Sequence, residues 1–272
     1  MIKCNSLIAI LMATYNGEKY IREQLDSLIA QTCCDWTLFV NDDGSSDRTL
    51  QILYEYSRLD SRIIILDLPK RGDACQNFLT LLSEVDAQYY MFCDQDDIWH
   101  KDKIEVSFNA MRSDKPMIVH TDLRMVDAKG RCIEESFWKY SRIFPQAITE
   151  FRHYASSCVA TGCTMIFNQS AKDCVIFNPR HARMHDAWVT LCVAKKGGIV
   201  LALNHPTIDY RQHDSNSIGA PDQRRFTFRF KIRNIKRIFD ENIKQYLMLS
   251  ELGYPGGILT YIKEKIAYHR LS

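Results

Sequence analysis

Residues 89–99 read YYMFCDQDDIW and join an apolar run to a cluster of acids. The first five residues are typical of a buried strand, and three carboxylates follow within four positions. Carboxylates so close together repel one another unless a cation neutralises them, and oxygen ligands of this kind suit Mg²⁺ or Mn²⁺. The segment therefore predicts a strand that ends in a divalent-metal site. The alternative is a solvated acidic turn that caps the next helix.

The same sequence of apolar run and polar turn occurs twice before this segment. Residues 7–13 lead into Thr14-Tyr15-Asn16-Gly17, and residues 36–40 lead into Asn41-Asp42-Asp43-Gly44-Ser45. Helical spacing of apolar residues separates these runs, and further strands are predicted at 63–66, 117–119 and 164–167. Such alternation favours an α/β fold with a mostly parallel central sheet and helices on both faces. Both acidic turns then fall at the carboxyl edge of the sheet, where ligands bind.

Composition limits the class of protein. The chain has 272 residues, of which 46% are hydrophobic and 25% charged, as in globular domains with a substantial core. Its longest apolar stretch, residues 7–13, is far shorter than the ~20 residues that cross a bilayer, so we expect a non-secreted, cytoplasmic chain. The ten cysteines are scattered without paired CxxC spacing, which favours reduced thiols over zinc sites or disulfides. A net charge of +2 gives no reason to expect a nucleic-acid partner.

The C-terminal part of the chain is basic and amphipathic. From about Pro221 onward, apolar residues of segment 224–239 fall on one helical face among basic residues: Phe228, Ile232, Ile235 and Phe239. Such a helix either lies against anionic lipid, as a peripheral contact on the inner face of the membrane, or packs on the preceding domain. We expect a helical extension over residues 221–272.

The turns after the three strands, taken together, resemble the inverting glycosyltransferases of family 2. Their fold is the nucleotide-diphospho-sugar transferase, or GT-A, arrangement. The segment 94–99, followed by Lys103, is most similar to bacterial rhamnosyltransferase-type enzymes that assemble surface polysaccharides such as O-antigen and capsule. The resemblance covers about Ser6 to His213. It implies a catalytic domain over residues 1–220, with a nucleotide-binding half (1–122) and an acceptor-binding half (123–220).

The resemblance also implies an activity and a set of site residues. A sugar would pass with inversion from a UDP- or dTDP-linked donor to a hydroxyl of a lipid-linked glycan acceptor, with Mg²⁺ or Mn²⁺ as cofactor. Asp43, in preference to Asp42, would meet the base, and Asp96 would approach the ribose. The residues implied to contact the donor are Ala13, Thr14, Tyr15, Glu18, Asp43, Asp96, Gly162 and Arg211. Those implied to hold the metal are Asp97, as principal ligand, with Asp94 and His213.

One departure concerns the helix after the third strand. Where many relatives have an Arg-Asn pair, this chain has Gln76-Asn77, so a cationic contact to the donor is missing. Lys70 and Arg71 are the candidates to replace it.

The segment 184–188, MHDAW, is similar to the acidic pair that supplies the family's catalytic base. His185 takes the place of the usual first acid, and Asp186 is the candidate base. Inverting displacement needs a carboxylate to take the proton of the attacking hydroxyl. The alternative is that Asp186 only stabilises the first turn of a helix through the helix dipole.

Two other functions compete with glycosyl transfer. Nucleotidyl transfer to a sugar phosphate uses a related fold, but it normally shows a glycine-rich phosphate loop, which residues 14–18 do not form. A non-catalytic subunit that binds nucleotide sugars is the second competitor, and the intact acidic cluster argues against it.

Overall fold

We describe the protein from a computed structural model, which covers residues 1–148, 150–156, 159–213 and 234–271. The strands are β1 Ile2–Lys3, β2 Ile8–Thr14, β3 Trp36–Asp42, β4 Ile63–Leu66, β5 Val85–Asp86, β6 Tyr89–Cys93, β7 Ile98–Trp99, β8 Met117–Val126, β9 Cys132–Glu134, β10 Met165–Asn168 and β11 Ile199–Arg211. The helices are α1 Ile21–Ile29, α2 Thr49–Leu59, α3 Ala74–Glu84, α4 Lys103–Asn109, α5 Phe137–Ser141, α6 Phe151–Ser156, α7 Gln169–Lys172, α8 His185–Lys195, α9 Ile235–Glu251 and α10 Ile258–Leu271. Short 3₁₀ turns occur at Pro145–Ala147 and Gly162–Thr164.

The main sheet has the strand order β4-β3-β2-β6-β10-β8-β11-β7, with β9 beside β8. Its first four strands are parallel, as predicted from the alternation of strands and helices. The second part is mixed, because β10 runs antiparallel to both β6 and β8 while β11 runs parallel to β8. The register brings the carboxyl ends of β2, β3 and β6 together at one edge.

Side chains of successive strand residues pack on opposite faces of the sheet. On β2, Ile8, Ile10 and Met12 face a core formed with α1, α2 and α4. Ala9 and Leu11 face a second core, formed with α3, α6 and α8. Because both faces are covered, the strands read as continuous apolar runs rather than alternating ones.

Strand β8 is longer than the sequence indicates. We predicted residues 117–119, but the strand continues through the polar residues His120, Thr121 and Asp122 to Val126. These polar side chains are buried; the Thr121 hydroxyl hydrogen-bonds that of Thr207, and Asp122 accepts from the Trp138 amide. The partners of Thr121 and Asp122 are distant in sequence, and the His120 ring packs edge-on against Trp138, so the local pattern gave no sign of the extension.

Helices α9 and α10 pack on the preceding part of the chain. Met248, Leu249 and Tyr261 are fully buried in the same apolar cluster as Trp188 of α8. The expected boundary between residues 220 and 221 lies outside the described residues, as does most of segment 224–239, of which 234–239 is described. Among the helices that the structure describes, none combines the length and apolarity required to cross a membrane.

Candidate active site

A cleft of about 1280 Å³ opens at the carboxyl edge of β2, β3 and β6. The turns after these strands form one wall, and the start of α8 with the 3₁₀ turn at 162–164 forms another. Segments more than 100 positions apart in the chain therefore converge on one site. The sequence-predicted residues that line the cleft are Ala13, Thr14, Tyr15, Asp43, Asp94, Asp96, Gly162, Asp186 and His213.

The acidic turn presents two of its three carboxylates to the cleft. Asp94 and Asp96 line it, and Oδ2 of Asp96 lies 2.9 Å from Nε2 of His213. Burial, followed by the charges of Asp96 and Asp186, raises the pKa of Asp94 to about 7. Burial also raises the pKa of Asp96, although His213 opposes that shift. A cation in this part of the cleft would relieve the repulsion among the carboxylates.

Asp97, the expected principal metal ligand, lies beneath the turn. Its side chain is fully buried, does not line the cleft, and accepts the backbone N–H of Arg211 through Oδ1 (3.1 Å). Its Oδ2 has no hydrogen-bond partner within the described structure. Single ligand atoms of Asp94, Asp97 and Cys163 lie within 4.8 Å of one another. The donor set therefore fits a divalent cation, but Cys163 is a soft ligand that Mg²⁺ and Mn²⁺ do not favour.

Arg211 supports the acidic turn from below, which corrects the expectation that it contacts the donor. Its side chain is buried; Nε donates to the Asp96 carbonyl (3.0 Å) and Nη2 to Glu23 (2.7 Å). The guanidinium also stacks over the ring of Tyr20. Arg211 therefore fixes the backbone that carries Asp96 and Asp97 rather than reaching the cleft.

Lys103 is a second buried cation near the acidic turn. Its ammonium lies 4.6 Å from the Trp99 ring centroid and has no hydrogen-bond partner in the described part of the chain. Burial lowers the pKa of Lys103 to about 8, and the nearby acidic groups Cys163, Cys93 and Asp97 oppose that shift. The sequence motif included this lysine, but its spacing from the acids gave no sign of its burial.

Glu18, which we expected to contact the donor, is not among the residues that line the cleft, although Gly17 and Lys19 on either side of it are. Its carboxylate accepts the Arg48 backbone N–H (2.9 Å), and its own N–H donates to Asp47 (3.0 Å). These bonds tie the turn after β2 to the start of α2. Its contribution is therefore to hold these two elements together.

Asp42 and Asp43 have different surroundings. Asp42 accepts hydrogen bonds from the Thr14 hydroxyl and from the amides of Gly44 and Ser45, so it organises the turn. Asp43 lines the cleft, and its Oδ1 accepts the Arg71 amide (2.5 Å). The geometry favours Asp43 over Asp42 as the residue available to a ligand. Tyr15, 59% exposed, stands at the same end of the cleft.

Gln95 was not assigned a role from sequence, yet it joins two turns of the same cleft wall. Its side-chain amide exchanges two hydrogen bonds of 3.0 Å with the backbone N–H and C=O of Tyr15. A Cβ at Gly17 would lie only 2.3 Å from Oε1 of Gln95. A side chain at position 17 would therefore displace the Gln95 amide from its bonds with Tyr15. The one feature of the sequence that could have suggested this contact is the amide side chain of Gln95 between two aspartates.

Asp186 occupies the other wall, at the start of α8. Its Oδ2 accepts the Gly162 amide (2.9 Å) and its Oδ1 the Ala187 amide (2.6 Å). Burial raises the pKa of Asp186 to about 6, although these hydrogen bonds oppose the shift. A Cβ at Gly162 would lie 2.6 Å from the His185 ring, so only glycine fits there.

His185 packs as a neutral aromatic ring beside Asp186. It stacks on Phe78 with 4.0 Å between ring centroids and meets the edge of Phe92. Burial lowers its pKa to about 3. His185 therefore places no second charge beside the candidate base.

The missing arginine at position 76 has one replacement in the cleft. Lys70 lines the cleft near Gly44, whereas Nε of Arg71 donates to the Thr80 hydroxyl (2.9 Å). The backbone N–H of Gln76 donates to Oδ1 of Asp73, the residue that caps the start of α3. Lys70 is therefore the better placed of the two candidates.

This combination of sheet, acidic edge and facing carboxylate is the arrangement that the resemblance to GT-A glycosyltransferases implies. More narrowly, the chain belongs to glycosyl transferase family 2, whose family model matches residues 9–176. The sequence is 33% identical to the dTDP-rhamnosyl transferase RfbG of Shigella flexneri, over 77% of this chain and 74% of that protein. It is 27% identical to the β-1,3-glucosyltransferase WfgD of Escherichia coli, over 68% and 69% of the two chains.

Solved structures show the same fold. TarS 1–349 of S. aureus, in complex with UDP-GlcNAc, matches with a TM-score of 0.64 at 20% identity, over 96% of this chain and 71% of that one. The mannosyltransferase PcManGT of Pyrobaculum calidifontis, with GDP-Man and Mn²⁺, matches with a TM-score of 0.59 at 14% identity, over 97% and 74%. The predicted GT-A fold and the predicted membership of glycosyl transferase family 2 are confirmed.

Proposed function

We propose that this chain is an inverting, metal-dependent glycosyltransferase that moves a hexosyl group from a UDP- or dTDP-linked donor to a glycan hydroxyl. The observation that carries the proposal is that Asp186, held by two backbone amides, shares one cleft with Asp94 and Asp96. The similarity to RfbG supports dTDP-rhamnose as the first donor to test.

The donor base occupies the end of the cleft near Tyr15 and Asp43. The exposed Tyr15 ring offers a stacking surface, and the Asp43 carboxylate accepts the imide N–H of uracil or thymine. The Arg71 amide holds Asp43 in place. Ala13 and Thr14 complete this end of the cleft, where the Thr14 hydroxyl is already bonded to Asp42.

Mg²⁺ or Mn²⁺ fits the acidic edge of the cleft. Asp94, which belongs to the donor set with Asp97, would hold the ion with Asp96 at the edge of the cleft that a diphosphate enters, and His213 lies beside them, bonded to Asp96. Asp97, beneath the turn, supports this arrangement from the buried side. When bound, the ion neutralises the departing nucleoside diphosphate as a Lewis acid.

Asp186 takes the proton of the attacking acceptor hydroxyl. In an inverting displacement, that oxygen attacks the anomeric carbon from the face opposite the diphosphate, so the base must face the acidic edge across the sugar. The Gly162 and Ala187 amides fix the carboxylate on the opposite wall. His185 stands where relatives have a first acid, so a neutral ring, and not a second carboxylate, lies beside Asp186.

We also propose that the acceptor is lipid-linked and that the chain acts at the inner face of the membrane. In the described end of segment 224–239, Ile235 is 70% exposed and Phe239 54% exposed, beside Lys236 and Arg237. Exposed apolar side chains among basic residues are typical of helices that lie on anionic lipid. We further propose that residues 1–220 form the catalytic domain, with a nucleotide-binding half (1–122) and an acceptor-binding half (123–220). Residues 221–272 then form the helical extension.

Replacement of Asp186 by Asn tests the proposal. The amide keeps the shape of the side chain but cannot take a proton, so we expect transfer to fall roughly 10²- to 10⁴-fold while the donor Kd changes little. Nucleotide release with acceptor gives the rate, and calorimetric titration gives the Kd. Asp114→Asn, at an exposed aspartate outside the cleft, is the matched control. Near-normal turnover by Asp186→Asn contradicts the assignment.

A further inference from the structure

Helix α9, from the C-terminal extension, reaches the cleft that contains Asp186. Gln245 lines this cleft, as do Arg183 and Met184 from the segment that precedes α8. The sequence placed acceptor recognition in residues 123–220 and gave the extension no part in it. The contacts of α9 indicate a different arrangement.

The segment before α8 is tied to α9 at three points. Arg183 forms an ion pair with Glu241 of α9, and Glu251 accepts the backbone amides of Arg180 (2.8 Å) and His181 (2.9 Å). Gln245 follows Glu241 by four positions, so both project from the same helical face. Arg183 and Gln245 therefore belong to one polar group beside the candidate base.

Apolar side chains anchor the end of α9 in the core of the molecule. Met248, Leu249 and the following Leu252 are fully buried in the same apolar cluster as Trp188 of α8. Together with the bonds from Glu241 and Glu251 to the segment before α8, this burial holds α9 near the helix that carries Asp186. Side chains of α9 that are held in fixed positions at the cleft can contribute to substrate specificity.

We propose that Arg183 and Gln245 hydrogen-bond to hydroxyls of the acceptor glycan, so that α9 forms part of the acceptor site. This inference rests on the proposed function, in which the acceptor lies beside Asp186. Tyr15 and Asp43, which serve the donor base, come from the turns after β2 and β3 instead. The two ends of the cleft thus belong to different substrates.

The chemistry of the group fits sugar hydroxyls. Nη2 of Arg183 is bonded to the Glu241 carboxylate, which compensates the guanidinium charge. A guanidinium has five N–H donors, and the Gln245 amide offers both donors and an acceptor. A charge-compensated set of donors and acceptors suits neutral hydroxyls better than a bare phosphate.

Steady-state kinetics of Arg183→Met and Gln245→Ala test the inference. The acceptor is the glycolipid fraction extracted from cells that lack this chain, and the donor Kd is measured separately by titration. We expect the acceptor KM to rise roughly tenfold for each variant, since a lost hydrogen bond to substrate costs about 1.4 kcal/mol. The donor Kd should change by less than about twofold, because Arg183 and Gln245 contact the acceptor alone. Arg180→Met, an exposed arginine three positions earlier, is the matched control.

The outcomes separate this inference from the proposed function. An acceptor KM equal to that of Arg180→Met, or an equal rise in the donor Kd, overturns the role of α9. If the unaltered chain neither transfers sugar to the fraction nor releases nucleotide, the proposed function itself fails and the inference falls with it. Gln245→Ala leaves the ion pair between Arg183 and Glu241 intact, so it keeps the test decisive if Arg183→Met does not fold.

Discussion

The electrostatics of Asp186 reflect a balance between burial and hydrogen bonding. Burial disfavours the carboxylate and raises its pKa to about 6, while the amides of Gly162 and Ala187 stabilise the charge. A base of this strength is ionised at neutral pH and still accepts a proton readily. The backbone amide of Gly162, in the 3₁₀ turn at 162–164, thus limits the rise in the pKa of Asp186, which lies on α8.

The pH dependence of kcat follows from this pKa. Below about pH 6 the Asp186 carboxyl is protonated and cannot take the acceptor's proton, so kcat should fall as the pH is lowered through that value. The measurement is kcat between about pH 5 and 8 with donor, acceptor and Mn²⁺ at saturation. A kcat that stays constant or rises toward low pH contradicts the assignment. The residual activity of Asp186→Asn should lack this dependence.

The sequence predicted which residues approach the cleft better than it predicted how each side chain points. Asp94, Asp96, Asp186 and His213 follow strands or begin a helix, so their backbone position largely decides their place. Arg211 is different, because an arginine at the end of β11 has enough reach to turn either toward the cleft or into the core. Its partner Glu23 lies nearly 190 positions earlier, and local sequence cannot reveal such a pairing.

At the scale of elements, the cleft depends on links between neighbouring turns. The Gln95 amide joins the turn after β6 to the turn after β2, and Asp42 joins Thr14 to the turn after β3. The parallel half of the sheet was predictable from the alternation of strands and helices. The antiparallel insertion of β10 was not, because a short strand carries no signal of its direction.

Gly17 and Gln95 provide a test of these links. Gly17→Ala places a methyl against the Gln95 amide and should weaken donor binding, since the bonds between Gln95 and Tyr15 must break. Gln95→Ala removes the obstructing atoms, so the double variant should bind the donor better than the sum of the two single losses predicts. Contacting residues typically couple by about 0.5–3 kcal/mol. Titration of all four proteins with dTDP or UDP measures the coupling, and strict additivity contradicts the proposed contact.

At the scale of the whole molecule, the described parts of the extension share a core with the catalytic part. Leu249 is fully buried in the cluster that contains Trp188, whereas Leu247, two positions earlier on α9, is 39% exposed. Packing of this kind couples the extension to the rest of the chain during unfolding. The sequence placed Ile235 and Phe239 on the apolar face of this helix, but both are exposed, and Met248 and Leu249 form the buried face instead.

Leu249→Ala should therefore destabilise the entire chain. Loss of a buried leucine side chain costs about 2–5 kcal/mol, and the unfolding transition should remain single. Leu247→Ala, the matched control, should cost less than about 0.5 kcal/mol. Denaturant titration followed by tryptophan fluorescence measures both. A separate early transition, or equal effects of the two substitutions, contradicts the shared core.

Asp94 and Asp96 line the part of the cleft where a cation and a diphosphate are proposed to meet. Their negative charge should therefore make nucleotide binding depend on the bound cation. Titration calorimetry of dTDP and UDP, with and without Mn²⁺, on the unaltered chain and on Asp96→Asn measures this most directly. We predict that Mn²⁺ tightens nucleotide binding roughly tenfold or more in the unaltered chain and much less in Asp96→Asn. Equal nucleotide affinity with and without Mn²⁺, or full metal enhancement in Asp96→Asn, would contradict the account.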